Sequence, residues 1–172
     1  FKNRLYFDLQ LNSCVYLYIT STFMAIYPAN LRNFRGFRRG IIDEYGIQNR
    51  AGIISGDFTR DDIGEDYDIV FSALSFAGNN EETLAFYIKV YAALKKGGLF
   101  ILQTFTVDND RKGPLFTISS DLREYMSGVK NRHSFTEREM LAILTESGFT
   151  GEQIVDMSEW WGMPTRMIIA RK

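Results

Sequence analysis

Gly56-Asp57-Phe58 sets a carboxylate beside an aromatic ring, just after the short apolar run Ile53-Ile54. A carboxylate accepts hydrogen bonds at a ring's edge and an aromatic face stacks on its plane, so the pair suits an amino-bearing purine. The same residues also suit a structural role, with Asp57 capping a turn and Phe58 filling the core. Two further loops, Ser72 to Gly78 and Thr104 to Asp108, also follow apolar runs. Loops that end parallel strands converge at the sheet's carboxyl edge, where ligands bind. Other chemistries are thinly supplied. One histidine, His133, excludes a two-histidine zinc site, and one cysteine, Cys14, excludes an internal disulfide or a cysteine-cluster metal site. No metal is expected. His133 precedes a helix cap, where a solvated or capping imidazole is the ordinary role. Trp160-Trp161 suit a pocket wall, or equally core or interface, and Arg35, Arg38 and Arg39 read as a solvated face.

The elements that must position these residues are clearest after residue 50. Tyr67 to Ser72 reads as a buried strand behind the turn Gly64-Glu65-Asp66. Asn79-Asn80-Glu81-Glu82 supplies an N-cap and an acidic first turn for a helix through Leu94. Its apolar stripe is read as Leu84, Tyr87, Ile88, Tyr91 and Leu94. Lys95-Lys96 sit at the negative dipole end, and Gly97-Gly98 can adopt the left-handed conformation that stops a helix. Leu99 to Leu102 follows as a strand buried on both faces. Thr136 and Glu139 form a capping box for a helix carrying Met140, Leu141 and Leu144, which Gly148 ends. Ile154-Val155 and Met167 to Ala170 supply the last strands. Alternating strands and helices imply an α/β fold with a largely parallel sheet.

Composition bounds the class. A chain of 172 residues with 45% hydrophobic content has the size of one domain, roughly 100–200 residues. Lys plus Arg number 20 against 21 Asp plus Glu, a net charge of -1, which argues against a nucleic-acid footprint. The uncharged run Leu9 to Leu31 is densest from Val15 to Tyr27, where Thr20, Ser21 and Thr22 interrupt it. A spanning helix wants about 20 apolar residues, so a buried strand followed by a buried helix is expected here, and no membrane partner. The lone cysteine suits a reducing, cytoplasmic setting. A chain opening on Phe1 is expected to be part of a longer protein.

The order of segments resembles the second half of a class I S-adenosylmethionine-dependent methyltransferase. The ordered set is Gly-Asp-Phe, Asp66-Tyr67-Asp68-Ile69-Val70, the helix ending Ala93-Leu94-Lys95-Lys96-Gly97-Gly98, and the apolar strand after it. Ser134-Phe135-Thr136-Glu137, Glu146-Ser147-Gly148-Phe149 and Pro164 to Ala170 extend the likeness to the hydroxyindole and caffeate type of small-molecule O-methyltransferases, over roughly residues 41 to 172. The resemblance implies a Rossmann-like, doubly wound, mostly parallel sheet with a C-terminal antiparallel strand. It implies a single catalytic domain over residues 1–172, with the family's N-terminal dimerisation domain absent, and S-adenosylmethionine as cofactor. The acceptor would be an oxygen of a small molecule, and a homodimer is carried over with the family.

By the same resemblance Asp57 contacts the adenine, Phe58 packs on it, and Ser72 lies near the methionine part. Leu5 to Tyr16 stands where the family has its first strand and glycine-rich turn, and there Asp8, Asn12 and Ser13 fit the pattern. Gln10, Leu11 and Cys14 replace the glycines, and no acidic residue lies between Asp8 and Asp43 to hold the ribose. Phe76 occupies the place of the family's histidine base, so no catalytic residue is assigned. The alternative is a methyltransferase-like domain that has lost its cofactor and serves as an interaction scaffold.

Overall fold

The computed structural model describes residues 14–19, 22–27, 43–46, 48–49, 51–55, 57–74, 78–129 and 134–172. Its seven strands are β1 (Cys14–Ile19), β2 (Thr22–Tyr27), β3 (Ala51–Ser55), β4 (Tyr67–Ala73), β5 (Leu94–Phe105), β6 (Thr150–Asp156) and β7 (Thr165–Arg171). Helices α1 (Asn80–Ala93), α2 (Leu115–Met126), α3 (Glu137–Glu146) and α4 (Ser158–Trp161) complete the described elements.

One sheet holds all seven strands in the order β3-β2-β1-β4-β5-β7-β6. β2 lies parallel to β3 and β4 parallel to β5, whereas β1 is antiparallel to both β2 and β4. β7 is antiparallel to β5 and to β6. Five strands therefore run one way and two, β1 and β7, run against them. The mixed α/β sheet and the C-terminal antiparallel strand agree with the expected fold.

The second strand differs from expectation. A strand followed by a helix was read over Leu9 to Leu31, yet Thr22–Tyr27 is a strand, paired with β1 from Ile19↔Thr22 to Val15↔Ile26. Thr, Phe, Ile and Tyr in this short run favour the pleated surface, and only two residues separate it from β1. That spacing permits an antiparallel return and is too short for a crossover helix, which needs a dozen residues or more.

Helix α1 starts as its sequence dictates. The Asn79 side chain accepts from Glu82 N at 2.9 Å, and the Glu82 carboxylate accepts from Asn79 N at 3.1 Å. Its buried face is Thr83, Phe86, Tyr87, Val90 and Ala93, one position round from the stripe read in the sequence, and Ile88 is half exposed. A helix apolar on most sides gives no sharp moment, so periodicity alone misplaces its inner face. Its end also differs. The chain turns extended at Leu94, ahead of Gly97 at φ +80°, and Lys172 Nζ donates to Ala92 O at 3.1 Å and Leu94 O at 2.6 Å. Lys95 pairs with Asp68 at 2.9 Å instead of serving the helix end. Gly98 is needed for close approach: a Cβ there would lie 2.9 Å from Lys95 O and 3.2 Å from Asp68 O.

The core lies between the sheet and helices α1 and α3. Phe86, Tyr87, Phe100, Phe149, Val70 and Leu144 are all buried to within 2% exposure. A run of ring contacts crosses it, from Phe58–Phe86 at 5.4 Å through Tyr87–Phe100 at 5.2 Å to Phe100–Phe149 at 5.5 Å. Among the described residues no helix is long and apolar enough to cross a membrane.

Candidate functional site

The carboxyl edge gathers Ser55, Ala73 and Phe105, where β3, β4 and β5 end. Cys14, at the start of the reversed β1, lies opposite Ala73 at this same edge. Strand spacing of about 4.8 Å puts the ends of β3 and β4 ~14 Å apart across β2 and β1. An elongated ligand can span that distance.

The turn after β3 is built around Asp57. Its Oδ1 accepts from Thr59 N at 3.0 Å and Thr59 Oγ1 at 2.6 Å, while Asp57 O accepts from Arg60 N and Asp61 N. Asp57 N donates back to Asp61 Oδ2 at 2.7 Å. This pins one carboxylate oxygen, and among the described residues Oδ2 meets only Arg60 Nε at 3.7 Å. The Asp57 side chain is 49% exposed, so the carboxylate faces outward. The Thr59 hydroxyl holds its pKa below the ordinary 3.8; burial opposes this, and the Thr59 backbone N–H, Arg60 and Lys89 add to the fall. Asp57 is thus an ionised acceptor at neutral pH.

Phe58 goes the other way. Its ring is 4% exposed, tilted against Phe86 in the core, which leaves little of its face open to a ligand. From α1, Lys89 Nζ reaches back to this turn, donating to Phe58 O at 3.1 Å and to Asp61 O. Neither Thr59 nor Lys89 was singled out from the sequence. The Asp57–Thr59 spacing is a legible side-chain turn. Lys89 carries no local signal, because its contacts span 28 and 31 residues.

Ser72 stands next to last in β4, opposite Leu102 and Val15. It is fully buried, and among the described residues its Oγ has no hydrogen-bond partner. A buried hydroxyl left unpaired costs about 1–3 kcal/mol, a cost that a ligand atom at the strand end would relieve. Asp8, Asn12, Ser13, Phe76 and His133 lie outside the described residues.

The loop after β5 is held by groups in and just before α3. Arg111 makes a two-pronged pair with Glu139 at 2.6 and 2.7 Å, Arg138 N donates to Asn109 Oδ1 at 3.1 Å, and Val107 N donates to Phe135 O at 2.9 Å. Burial alone would raise the Glu139 pKa, but the Thr136 backbone N–H and Arg111 outweigh it and hold it below 4.5. At the start of β7, Arg166 is 14% exposed and bridges Glu137 at 2.7 Å and Asp156 at 2.9 Å. Trp160, in α4, is 82% exposed, which removes it from the core.

No family model matches this chain. An uncharacterised protein of Methanocaldococcus jannaschii is 31% identical over 154 residues, covering 85% of this chain and 40% of that protein. PigF of a Serratia species, an S-adenosyl-L-methionine-dependent methyl transferase, is 27% identical over 138 residues, covering 79% of this chain and 38% of its own length. The structure of PigF with SAH superposes at TM-score 0.67 with 22% identity, over 86% of this chain and 47% of that one. A candidate O-methyltransferase of Nostoc punctiforme reaches TM-score 0.72 with 21% identity, over 87% of this chain and 43% of that one. The fold is that of a class I methyltransferase. The resemblance read in the ordered motifs stands, and the chain spans about two fifths of the curated relatives it matches. Within a methyltransferase fold, the Asp57 turn and Ser72 occupy the carboxyl edge, at the ends of strands β3 and β4.

Proposed function

We propose that this chain is the S-adenosylmethionine-binding part of a methyltransferase acting on an oxygen of a small-molecule acceptor. The observation that carries the reading is Asp57, one carboxylate oxygen pinned by Thr59 and the other directed outward at the carboxyl edge. An ionised, prepositioned acceptor is what an adenine amino group requires. Phe58 supports that turn from beneath, through its place in the core. Ser72 offers a hydroxyl without a partner among the described residues at the other end of the span, toward the methionine part. Asp8 and Asn12, just ahead of β1, complete the cofactor set in this reading.

The fit of these groups supports the cofactor, which supplies an electrophilic methyl on a positively charged sulfur. The chain's own work is to hold and orient: the Asp57 turn fixes one end, and the loop after β5, tied to α3 by Arg111 and Glu139, frames the acceptor side. A cytoplasmic homodimer, formed through a dimerisation domain outside these 172 residues, belongs to the same reading. PigF, named as an S-adenosyl-L-methionine-dependent methyl transferase, supports the methyl-transfer part of the reading.

Calorimetric titration with S-adenosylhomocysteine tests the reading. Asp57→Ala should weaken binding by about tenfold or more, the worth of a hydrogen bond to a charged group. Unchanged affinity would refute the adenine assignment. A second reading, a scaffold that has lost the cofactor, draws on the reversed β1, whose direction removes the usual strand-to-turn entry beside the ligand. That reading predicts no heat at millimolar ligand.

A further inference from the structure

We infer that Lys89, in the middle of α1, is a positioning residue for adenine recognition, acting through the Asp57 turn. The inference rests on the cofactor reading above and names a group that reading does not need. Lys89 Nζ donates to Phe58 O at 3.1 Å and also to Asp61 O, so one ammonium spans the turn from its second residue to its fifth. Both carbonyls belong to the peptide segment that shapes the Asp57 carboxylate. Asp57 O accepts from Arg60 N and Asp61 N, and Asp61 Oδ2 accepts from Asp57 N, so any movement of Asp61 reaches Asp57 directly. The anchor comes from outside the turn. Phe58 and Ile63 fix the turn's apolar side in the core at 4% and 2% exposure, but its polar side is joined to α1 by this ammonium. Lys89 is a flexible stem with a positive charge at its tip, suited to bridging two carbonyls. Its positive charge also favours the ionised form of Asp57.

A turn that only needs folding would not care which purine is bound. A turn that aims a carboxylate at an amino group would. The experiment compares S-adenosylhomocysteine with its analogue carrying unsubstituted purine in place of adenine, which lacks the amino donor. In the unsubstituted chain the ratio of the two affinities should be about tenfold in favour of adenine. Lys89→Met should bring that ratio to within about twofold, while Lys89→Arg keeps most of it. In an Asp57→Ala background Lys89→Met should change the ratio no further, because coupled groups are not additive. Lys89→Gln, which keeps a donor without the reach, guards against a Met variant that fails to fold, and it too should lose the ratio. A ratio unchanged in folded Lys89→Met or Lys89→Gln protein overturns the inference and leaves the cofactor reading intact. An unsubstituted chain that binds neither ligand defeats the cofactor reading itself, and the inference falls with it.

Discussion

Asp57 and Phe58 are neighbours in sequence with opposite fates. The acid stays half exposed in a hydrogen-bonded turn, while the ring enters the core beside Phe86. The sequence carried both roles for the pair, because a tripeptide does not show which side chain points inward. Tyr87 makes a similar point about buried polarity. Its hydroxyl is fully buried, with the thioether of Met140 3.0 Å away as acceptor, and burial pushes its pKa far above the ordinary value. Sulfur is a weak acceptor, so Tyr87→Phe should change stability by less than about 1 kcal/mol in a denaturant titration. Tyr87→Ala should cost about 3–5 kcal/mol, since it empties the centre of the ring cluster. A large loss in the Phe variant would show that the hydroxyl does more than fill space.

Glu139 supplies the pH dependence at this scale. Its folded pKa lies below the ordinary 4.5, so the unfolded chain holds its proton more tightly. The stabilisation is therefore present above about pH 4.5 and is lost as the pH falls through the lower folded value. Stability measured between pH 6 and pH 3 should fall more steeply for the parent chain than for Glu139→Gln. Equal slopes would remove Glu139 from the acid response.

Among the elements, those with strong local signals were the most legible. Asn79 with Glu82 and Thr136 with Glu139 announce α1 and α3, and both capping boxes form. Gly148 ends α3 at φ +98°, as its place after the helix implied, and packs against the Tyr91 ring. Gly148→Ala should cost about 1–3 kcal/mol, combining a strained left-handed backbone with a Cβ 3.1 Å from that ring. Thermal unfolding would show it, and a neutral result would mean that the turn relaxes. Other elements escaped for physical reasons. Helix α2 has no side-chain cap to mark its start, and although Leu115, Ile118, Leu122 and Tyr125 recur at helical spacing, Leu115, Leu122 and Tyr125 face outward and build no core. β2 was taken for a helix because a short apolar run has no distinguishing period. The end of α1 is fixed by Lys172, a contact 78 and 80 residues away, which no window of sequence contains.

Across the whole molecule, the strand order β3-β2-β1-β4-β5-β7-β6 brings Asp57 and Ser72 to one edge although fifteen positions separate them in the chain. The later strands and the Gly-Asp-Phe turn were readable because each motif had a fixed neighbour before and after it. The reversed β1 was not, since strand direction follows from the length of the connection and from pairing across the sheet, and neither leaves a motif. The molecule thus pairs a well-tied half-site, from Asp57 to Ser72, with a first strand set against its neighbours. The central claim is that this half-site holds the cofactor. Amide NMR spectra of the chain titrated with S-adenosylhomocysteine test it most directly. Saturable shifts centred on Asp57 to Asp61 and Ser72 to Leu74 are predicted, with Gly97 and Gly98 at the opposite edge unmoved. Shifts absent at millimolar ligand, or centred on Gly97 and Gly98, would contradict the account.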